Sequence, residues 1–265
     1  MLRPQDTATR ERKALDGLWR FRLDVDGVGR AERWFAEPLR SADGNRAQDM
    51  AVPASYNDLL GDPRSREHVG EAWYQRTVRV PRGWSGQRIV LYFESATHRA
   101  TVWVDDQEVV RHEGGYTPFE ADITALAHAG EPVRITVSVD NTLSFQTIPP
   151  GVVEQTAAGP RQRYWHDFYN YAGLHRTVWL ACTPAARIED VTVVTDLDGP
   201  TGTVHYRVDT SDADGLDVRV VLRDAEGALV GTGTGTSAVV TVPGGPRACR
   251  SRRTASAGCP SSPTS

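Results

Sequence analysis

The sequence contains little lysine, few cysteines and no long apolar segment. Lys13 is the only lysine among 30 basic residues, which indicates a GC-rich coding sequence. Cys182, Cys249 and Cys259 are odd in number, and their spacing matches neither a disulfide framework nor a metal site. No run approaches the roughly 20 apolar residues of a membrane span, and the first residues lack the apolar core of a signal peptide. We therefore expect a cytoplasmic protein that binds neither metal nor membrane.

Charge and composition indicate a globular protein and argue against nucleic-acid binding. The formal net charge of −4 gives no general electrostatic reason to bind nucleic acid. Hydrophobic residues make up 39% and charged residues 24% of 265 residues, which is typical of globular chains. The length suffices for one large or two modest domains.

Alternation of apolar and polar residues dominates the chain. It is clearest in segments 19–23, 89–93, 133–139, 204–208 and 218–222. A period of two predicts half-buried antiparallel strands. A long 3.6-residue period is missing, and residues 121–129 could form one short helix at best. The sequence therefore predicts an all-β fold built from sandwiches.

A change in composition near Pro184 divides the strands into two groups. All seven tryptophans fall between Trp19 and Trp179. We predict that the tryptophans of the strand patterns lie on one face and are largely buried: Trp19, Trp73, Trp103 and Trp179. The second group, residues 184–244, is small for an independent sandwich and is expected to lack its final strands.

Residues 245–265 differ from everything before them. They hold four arginines, five serines and three prolines, but no acidic, aromatic or large aliphatic residue. Such a segment cannot form a core and is predicted to be disordered. A flexible basic tail and an out-of-frame translation of GC-rich DNA both explain it. We favour the frameshift, because the segment interrupts an unfinished β-domain.

Two polar and aromatic clusters are candidate sites. The segment 166–176 reads HDFYNYAGLHR, and its polar side chains could either satisfy backbone groups of a packed loop or contact a ligand. A second cluster comprises His112, Glu113, Tyr116 and Phe119. It is either a sugar-binding patch or an ordinary Gly-Gly hairpin. Tyr56 and Asn57 follow Pro53 and predict a turn.

Several segments carry a resemblance to a known family. They are LDGLWRFRLD (15–24), VPASYNDL (52–59), AWYQRTVRVPRGWSGQRIVLYF (72–93), HEGGYTPFEADIT (112–124), QTIPPG (146–151), HDFYNYAGLHR (166–176) and DVTVVT (190–195). In this order and spacing they resemble the bacterial β-glucuronidases of glycoside hydrolase family 2. The resemblance runs from the first residues to about Val242.

The resemblance implies a jelly-roll, galactose-binding-like sandwich over residues 1–183 and a partial immunoglobulin-like sandwich over 184–244. In this family a TIM barrel follows and holds the catalytic carboxyl groups, and its acid/base glutamate comes directly after an asparagine. Here the four asparagines are followed by Arg46, Asp58, Thr142 and Tyr171. We therefore expect an N-terminal fragment that has no catalytic residues and does not hydrolyse β-D-glucuronides alone.

The family's loop aspartate, which lines the sugar pocket, maps onto Asp167. A carboxylate suits this position because it accepts strong hydrogen bonds from sugar hydroxyls. We predict loop support from His166, Asn170, His175 and Arg176. The implied partner is a glucuronide or another sugar, bound weakly, without cofactor, metal, nucleic acid or membrane. The oligomeric state stays open.

Two other functions compete with this interpretation. A free-standing carbohydrate-binding module would need a complete sandwich, since jelly rolls also serve as lectins. A small independent hydrolase would need paired carboxylates in a cleft, and the sequence identifies none. The reading frame beyond codon 265 would separate a fragment from a module.

Overall fold

A computed structural model describes residues 3–41, 46–157 and 159–244. The chain divides into two compact units, one formed by Arg3–Ala185 and the other by the described residues 186–244. The predicted disordered tail at 245–265, with Cys249 and Cys259, lies outside the described residues. Cys182 is a buried free thiol.

The described residues form seventeen strands and two one-turn helices. The strands of the first unit are β1 (Glu11–Ala14), β2 (Gly17–Leu23), β3 (Gln48–Val52), β4 (Glu71–Arg79), β5 (Arg88–Phe93), β6 (Arg99–Val104), β7 (Gln107–Glu113), β8 (Phe119–Asp122), β9 (Pro132–Asp140), β10 (Gly151–Thr156), β11 (Gly159–Tyr164) and β12 (Val178–Thr183). Those of the second unit are β13 (Arg187–Asp198), β14 (Thr201–Ser211), β15 (Arg219–Arg223), β16 (Leu229–Thr234) and β17 (Ser237–Pro243). The helices are α1 (Tyr56–Leu59) and α2 (Pro63–Arg66), and a 3-10 turn spans Arg82–Trp84. The all-β prediction is confirmed. The short helices lie at 56–66, however, and residues 121–129 continue β8 into a turn.

The first unit is a sandwich of two antiparallel sheets. The four-stranded sheet has the order β1-β12-β5-β8, and the six-stranded sheet has the order β3-β2-β4-β9-β6-β7. Apolar side chains from both sheets form one core between them, including Leu91 of β5, Leu180 of β12 and Val137 of β9. Alternation explains this, since every second residue of a strand faces the opposite sheet.

The outer face of the six-stranded sheet is covered as well. Trp73 of β4 and Trp103 of β6 stack there with ring centroids 5.2 Å apart, and Phe35 stacks on Trp103 at 4.8 Å. Gln75 is buried beneath the same segment and accepts a hydrogen bond from the Leu39 amide at 2.8 Å. Residues 24–39 thus form a third layer over the sheet.

The prediction that the tryptophans share one face is wrong. Trp19 belongs to the core between the sheets, whereas Trp73 and Trp103 pack on the outer face under residues 24–39. Trp179 is only half-buried, because its indole N–H reaches the Glu94 carboxylate at 3.1 Å near the surface. Burial of the other three is confirmed.

The second unit has two small sheets, one with the order β13-β14-β17 and the other formed by the hairpin β15-β16. Its buried hydrophobic side chains are Tyr206, Val208 and Val240. Strand β13 is an edge strand, and its Val191 and Val193 lie opposite Val208 and Tyr206 but remain exposed. The immunoglobulin-like assignment of this unit stays a prediction.

Candidate functional site

The segment 166–176 connects the β10-β11 hairpin to β12 without regular secondary structure of its own. Its first half is open, since His166 and Asp167 are exposed to solvent. Its second half is fixed, since Asn170 is buried and Ala172 is fully enclosed. The loop therefore presents the Asp167 carboxylate from a backbone that is held a few residues further on.

Asn170 is the centre of the hydrogen bonds that hold the loop. Its side-chain oxygen accepts from His98 Nε2 at 2.7 Å, in the tautomer that places the proton on that nitrogen. Its side-chain nitrogen donates to the Asn141 carbonyl at 3.3 Å, and its own carbonyl accepts from Asn57 Nδ2 at 2.8 Å. All three partners are buried. These buried hydrogen bonds favour one arrangement of the backbone, although His98 Nδ1 has no hydrogen-bond partner.

Helix α1 supplies the second set of contacts. The Ala172 amide donates to Asn57 Oδ1 and to Ser55 Oγ, both at 3.0 Å. The Tyr169 hydroxyl donates to the Asn57 carbonyl at 2.9 Å. The predicted turn at Tyr56 and Asn57 is thus a one-turn helix, which points the Asn57 amide into the loop.

His175 braces the far end of the loop. Its Nδ1 lies 2.7 Å from Thr97 Oγ1, and its Nε2 lies 3.0 Å from Ser95 Oγ. Burial lowers the pKa of His175 and also that of His98, so both rings are neutral near pH 7. Arg176, the next residue, is exposed.

The contact between Ser95 and His175 is not a nucleophilic site. Ser95 is fully buried, so a substrate cannot reach its hydroxyl. Thr97 occupies the place that a carboxylate takes in a catalytic triad. These hydroxyls therefore position the histidine, and the geometry gives no support to a small independent hydrolase.

Aromatic rings of the loop pack against Tyr116 and against one another. Tyr116 contacts Phe168 edge-on with centroids 5.9 Å apart and contacts His175 at 5.3 Å. Tyr171 lies 5.1 Å from Tyr169 and 6.2 Å from Phe168, again edge-on. Edge-to-face pairs at these distances are attractive and restrict the rings. Phe168 and Tyr171 each remain partly exposed to solvent.

The side chains of the second candidate cluster make contacts within the protein. Phe119 is buried, and its two faces stack on Phe93 at 4.7 Å and on His112 at 4.3 Å. Glu113 forms an ion pair with Arg99 at 3.0 Å. Tyr116 belongs to the rings beside the loop instead. The hairpin explanation of these residues is the one that their contacts support.

Over residues 3–41, 46–157 and 159–244, no group of three or more histidine, cysteine, aspartate or glutamate side chains could hold a metal ion. Among the same residues, no helix is long and apolar enough to cross a bilayer.

Residues 12–184 match the sugar binding domain of the glycosyl hydrolases family 2. This match covers more than half of the sequence and the whole sandwich from β1 to β12. The chain belongs to glycosyl hydrolase family 2. The resemblance drawn from the sequence segments is thereby confirmed.

Relatives within family 2 are β-glucuronidases. The chain is 47% identical over 248 residues to the β-glucuronidase of Paenibacillus borealis, covering 91% of this chain and 41% of the relative. It is 43% identical over 258 residues to that of Sus scrofa, covering 92% and 39%. The chain thus spans about two fifths of the length of these relatives.

Solved structures of family 2 enzymes agree with the fold. The β-glucuronidase of an uncultured Clostridium species superposes with a TM-score of 0.81 at 40% identity, over 92% of this chain and 41% of that one. The Ruminococcus gnavus β-glucuronidase in complex with D-glucuronic acid superposes with a TM-score of 0.81 at 32% identity, covering 92% and 41%.

Sequence reasoning singled out Asp167, Asn170 and His175 as candidates but did not predict which residues hold their loop. His98 and Asn57 are 72 and 113 positions away from Asn170 in the chain, and Asn141 is 29 away. No local pattern marks such partners in a family 2 sequence. The one available signal is a cluster of asparagine and histidine at strand ends, where an amide can reach a neighbouring loop.

Proposed function

We propose that this chain is the sugar-binding part of a β-glucuronidase, and that Asp167 contacts the sugar of a β-D-glucuronide. The observation that carries the proposal is an exposed carboxylate on a loop whose following residues are held by buried hydrogen bonds. Preorganisation of this kind is what binding sites need. The high identity to β-glucuronidases supports the choice of sugar.

The chemistry of Asp167 restricts what it contacts. A carboxylate accepts charge-assisted hydrogen bonds, and sugar hydroxyls donate them. The carboxylate of glucuronate itself would be repelled, because like charges disfavour each other at short range. Asp167 is therefore proposed to bind hydroxyl groups, while His166, Asn170, His175 and Arg176 belong to the loop that positions it.

We further propose that the chain alone does not cleave glycosides. Retaining glycosidases need two carboxyl groups about 5–5.5 Å apart, one as acid/base and one as nucleophile. The sequence holds no Asn-Glu pair of the kind that the family's acid/base requires. Hydrolysis is thus proposed for a whole protein of the relatives' length and not for these 265 residues.

An assay of the purified chain tests this directly. The chain is incubated with an aryl β-glucuronide, and aryl alcohol release is followed beside a full-length relative such as the Paenibacillus borealis enzyme. We expect release by the relative and none by the chain. Turnover that persists after the host's own β-glucuronidase has been deleted would contradict the proposal.

A carbohydrate-binding module is the second candidate, and the description of the matched domain as sugar binding favours it. A module would bind neutral and acidic sugars without help from further chain. The Asp167 loop alone makes few contacts, so it would bind free sugar with Kd in the millimolar range or weaker, near −4 kcal/mol. A micromolar Kd for the isolated chain would favour the module.

The cytoplasmic location stays a prediction.

A further inference from the structure

A cleft in the first unit lies between α2 and the β10-β11 hairpin. Its inner part is a cavity of about 210 Å³, and its outer part is a groove of about 500 Å³. Glu67, His68 and Arg161 line both parts, so the two are continuous. Together they reach the size range of small-molecule sites. Asp167 is not among the lining residues.

We propose that this cleft binds an acidic saccharide, with arginines holding the carboxylate and tyrosine rings and amides holding the sugar ring. The site is separate from Asp167 and does not depend on the function proposed for that residue. Each part of the proposal follows from the charge, the rings and the polar floor of the cleft.

The charge of the cleft is opposite to that of the chain around it. Arg64, Arg66 and Arg161 line it with Glu67 as the acidic residue, giving 3 − 1 = +2. Residues 245–265 carry four arginines and no acid, so residues 1–244 carry −4 − 4 = −8. A basic cleft on an acidic body concentrates anions.

The forked donors of an arginine guanidinium match the two oxygens of a carboxylate, as they also match a phosphate. Arg161 Nε donates to Glu67 at 3.1 Å, in an ion pair with both side chains more than half exposed. Such exposed pairs are worth little and can rearrange. The guanidinium has five N–H donors, more than this one contact uses, and a fork of two donors matches a carboxylate.

The inner end of the cleft suits a sugar ring. Tyr164 and Tyr169 are half-buried there and offer flat apolar surface beside polar groups. Gln162 is fixed on the floor, because its Oε1 accepts from the Leu143 amide at 2.6 Å and its Nε2 donates to the Asn141 carbonyl at 3.1 Å. Fixed polar groups set the orientation of a bound ligand, and the aromatic faces supply contact area.

The test is a titration of the isotope-labelled chain followed by amide chemical shifts. The probes are D-glucuronate, D-glucose and acetate at one ionic strength. We expect glucuronate to shift amides of α2 and the β10-β11 hairpin, with at least about fivefold weaker binding of glucose and acetate. Equal binding of glucose would show that the arginines do not recognise the carboxylate and would contradict the proposal. Equal binding of acetate would reduce the site to a general anion site and overturn the proposal.

Three variants assign the effect to the cleft. Arg66→Gln and Arg161→Gln remove one exposed charge each, so both should fold, and each should weaken glucuronate binding about fivefold. Arg20→Gln on β2 removes an exposed arginine charge outside the cleft and should leave binding unchanged. Asp167→Asn should also leave the cleft shifts unchanged, which separates this site from the Asp167 carboxylate, although Tyr169 and Asn170 of the same loop line the cleft. Unaltered binding in both cleft variants would refute the proposal.

Discussion

The two units of this chain use the same strand pattern with opposite results. In the first unit, β9 alternates apolar and polar residues, and both faces are buried: Ile135 and Val137 by the opposite sheet, Thr136 and Ser138 under the layer on the outer face. In the second unit, β13 carries Val191 and Val193 on one face, and both remain exposed. Alternation therefore specifies a strand, but burial depends on whether another layer covers it.

The loop with Asp167 belongs to the first unit, in which both faces of β9 are buried. Its supports come from the end of β9, from α1 and from the segment between β5 and β6, which the sandwich brings together. A binding loop can be held in one arrangement only when its scaffold is rigid. Substitutions in each unit test this contrast, and the largest effect on stability is expected in the first unit.

Trp103→Ala should destabilise the first unit most. The ring is buried between Phe35 and Trp73, so its removal leaves a cavity in the outer layer. We expect a loss of about 3–5 kcal/mol in the free energy of unfolding. Urea unfolding followed by tryptophan fluorescence measures it, because all seven tryptophans lie in this unit. A loss below about 1 kcal/mol would show that the outer layer does not pack on the sheet.

A matched pair of valines compares the units with one substitution. Val137→Ala removes two methyl groups from a fully buried site and should cost about 2 kcal/mol. Val193→Ala removes the same groups from a side chain that is 54% exposed, and should cost under about 0.5 kcal/mol. Hydrogen exchange of β9 and β14 amides reports each unit separately. Similar losses at both positions would mean that Val193 is covered in solution.

Asn170→Ala should release the loop while leaving the sandwich folded. It leaves His98 Nε2 without its acceptor and removes the donor to the Asn141 carbonyl, whereas the backbone carbonyl that accepts from Asn57 Nδ2 is kept. A buried unsatisfied polar group costs about 1–3 kcal/mol. We expect that loss together with faster exchange of the Ala172 amide. Thr142→Ala, a change next to Asn141 but outside the loop contacts, serves as the control. If the Ala172 amide exchanges as slowly in Asn170→Ala as in the native chain, Asn170 does not hold the loop.

Acid should weaken the first unit before the second. Burial lowers the pKa of His68, His98 and His175, so the unfolded state binds protons at these residues that the folded state does not. Their contribution is present above the unfolded pKa of about 6.5 and is lost as pH falls toward the folded values. The second unit holds only His205, which is exposed. The urea concentration at the unfolding midpoint, measured by tryptophan fluorescence, should decrease as the pH is lowered from 7.5 to 5.5. A midpoint that does not change with pH would indicate that these rings are accessible to solvent.

Local patterns in the sequence were sufficient for the strands and for the all-β class, because a period of two is a property of neighbouring residues. They could not place the tryptophans on two faces. Residues 24–39 carry no periodicity, and their packing over Trp73 and Trp103 is decided by contacts distant in sequence. The same holds for the loop, where Asp167 was suggested by a family motif, but its supports His98 and Asn57 were not.

The most direct test of the role of Asp167 is a kinetic one. Residues 3–244 replace the matching segment of the Paenibacillus borealis β-glucuronidase, and the chimera is assayed on an aryl glucuronide with and without Asp167→Asn. The exposed side chain supports no packing, so the variant should fold as well as its parent. Losing one charged hydrogen bond of about 1.5–3 kcal/mol should lower kcat/KM about 10- to 150-fold. An unchanged kcat/KM in a folded chimera would contradict the assignment of Asp167 to the sugar.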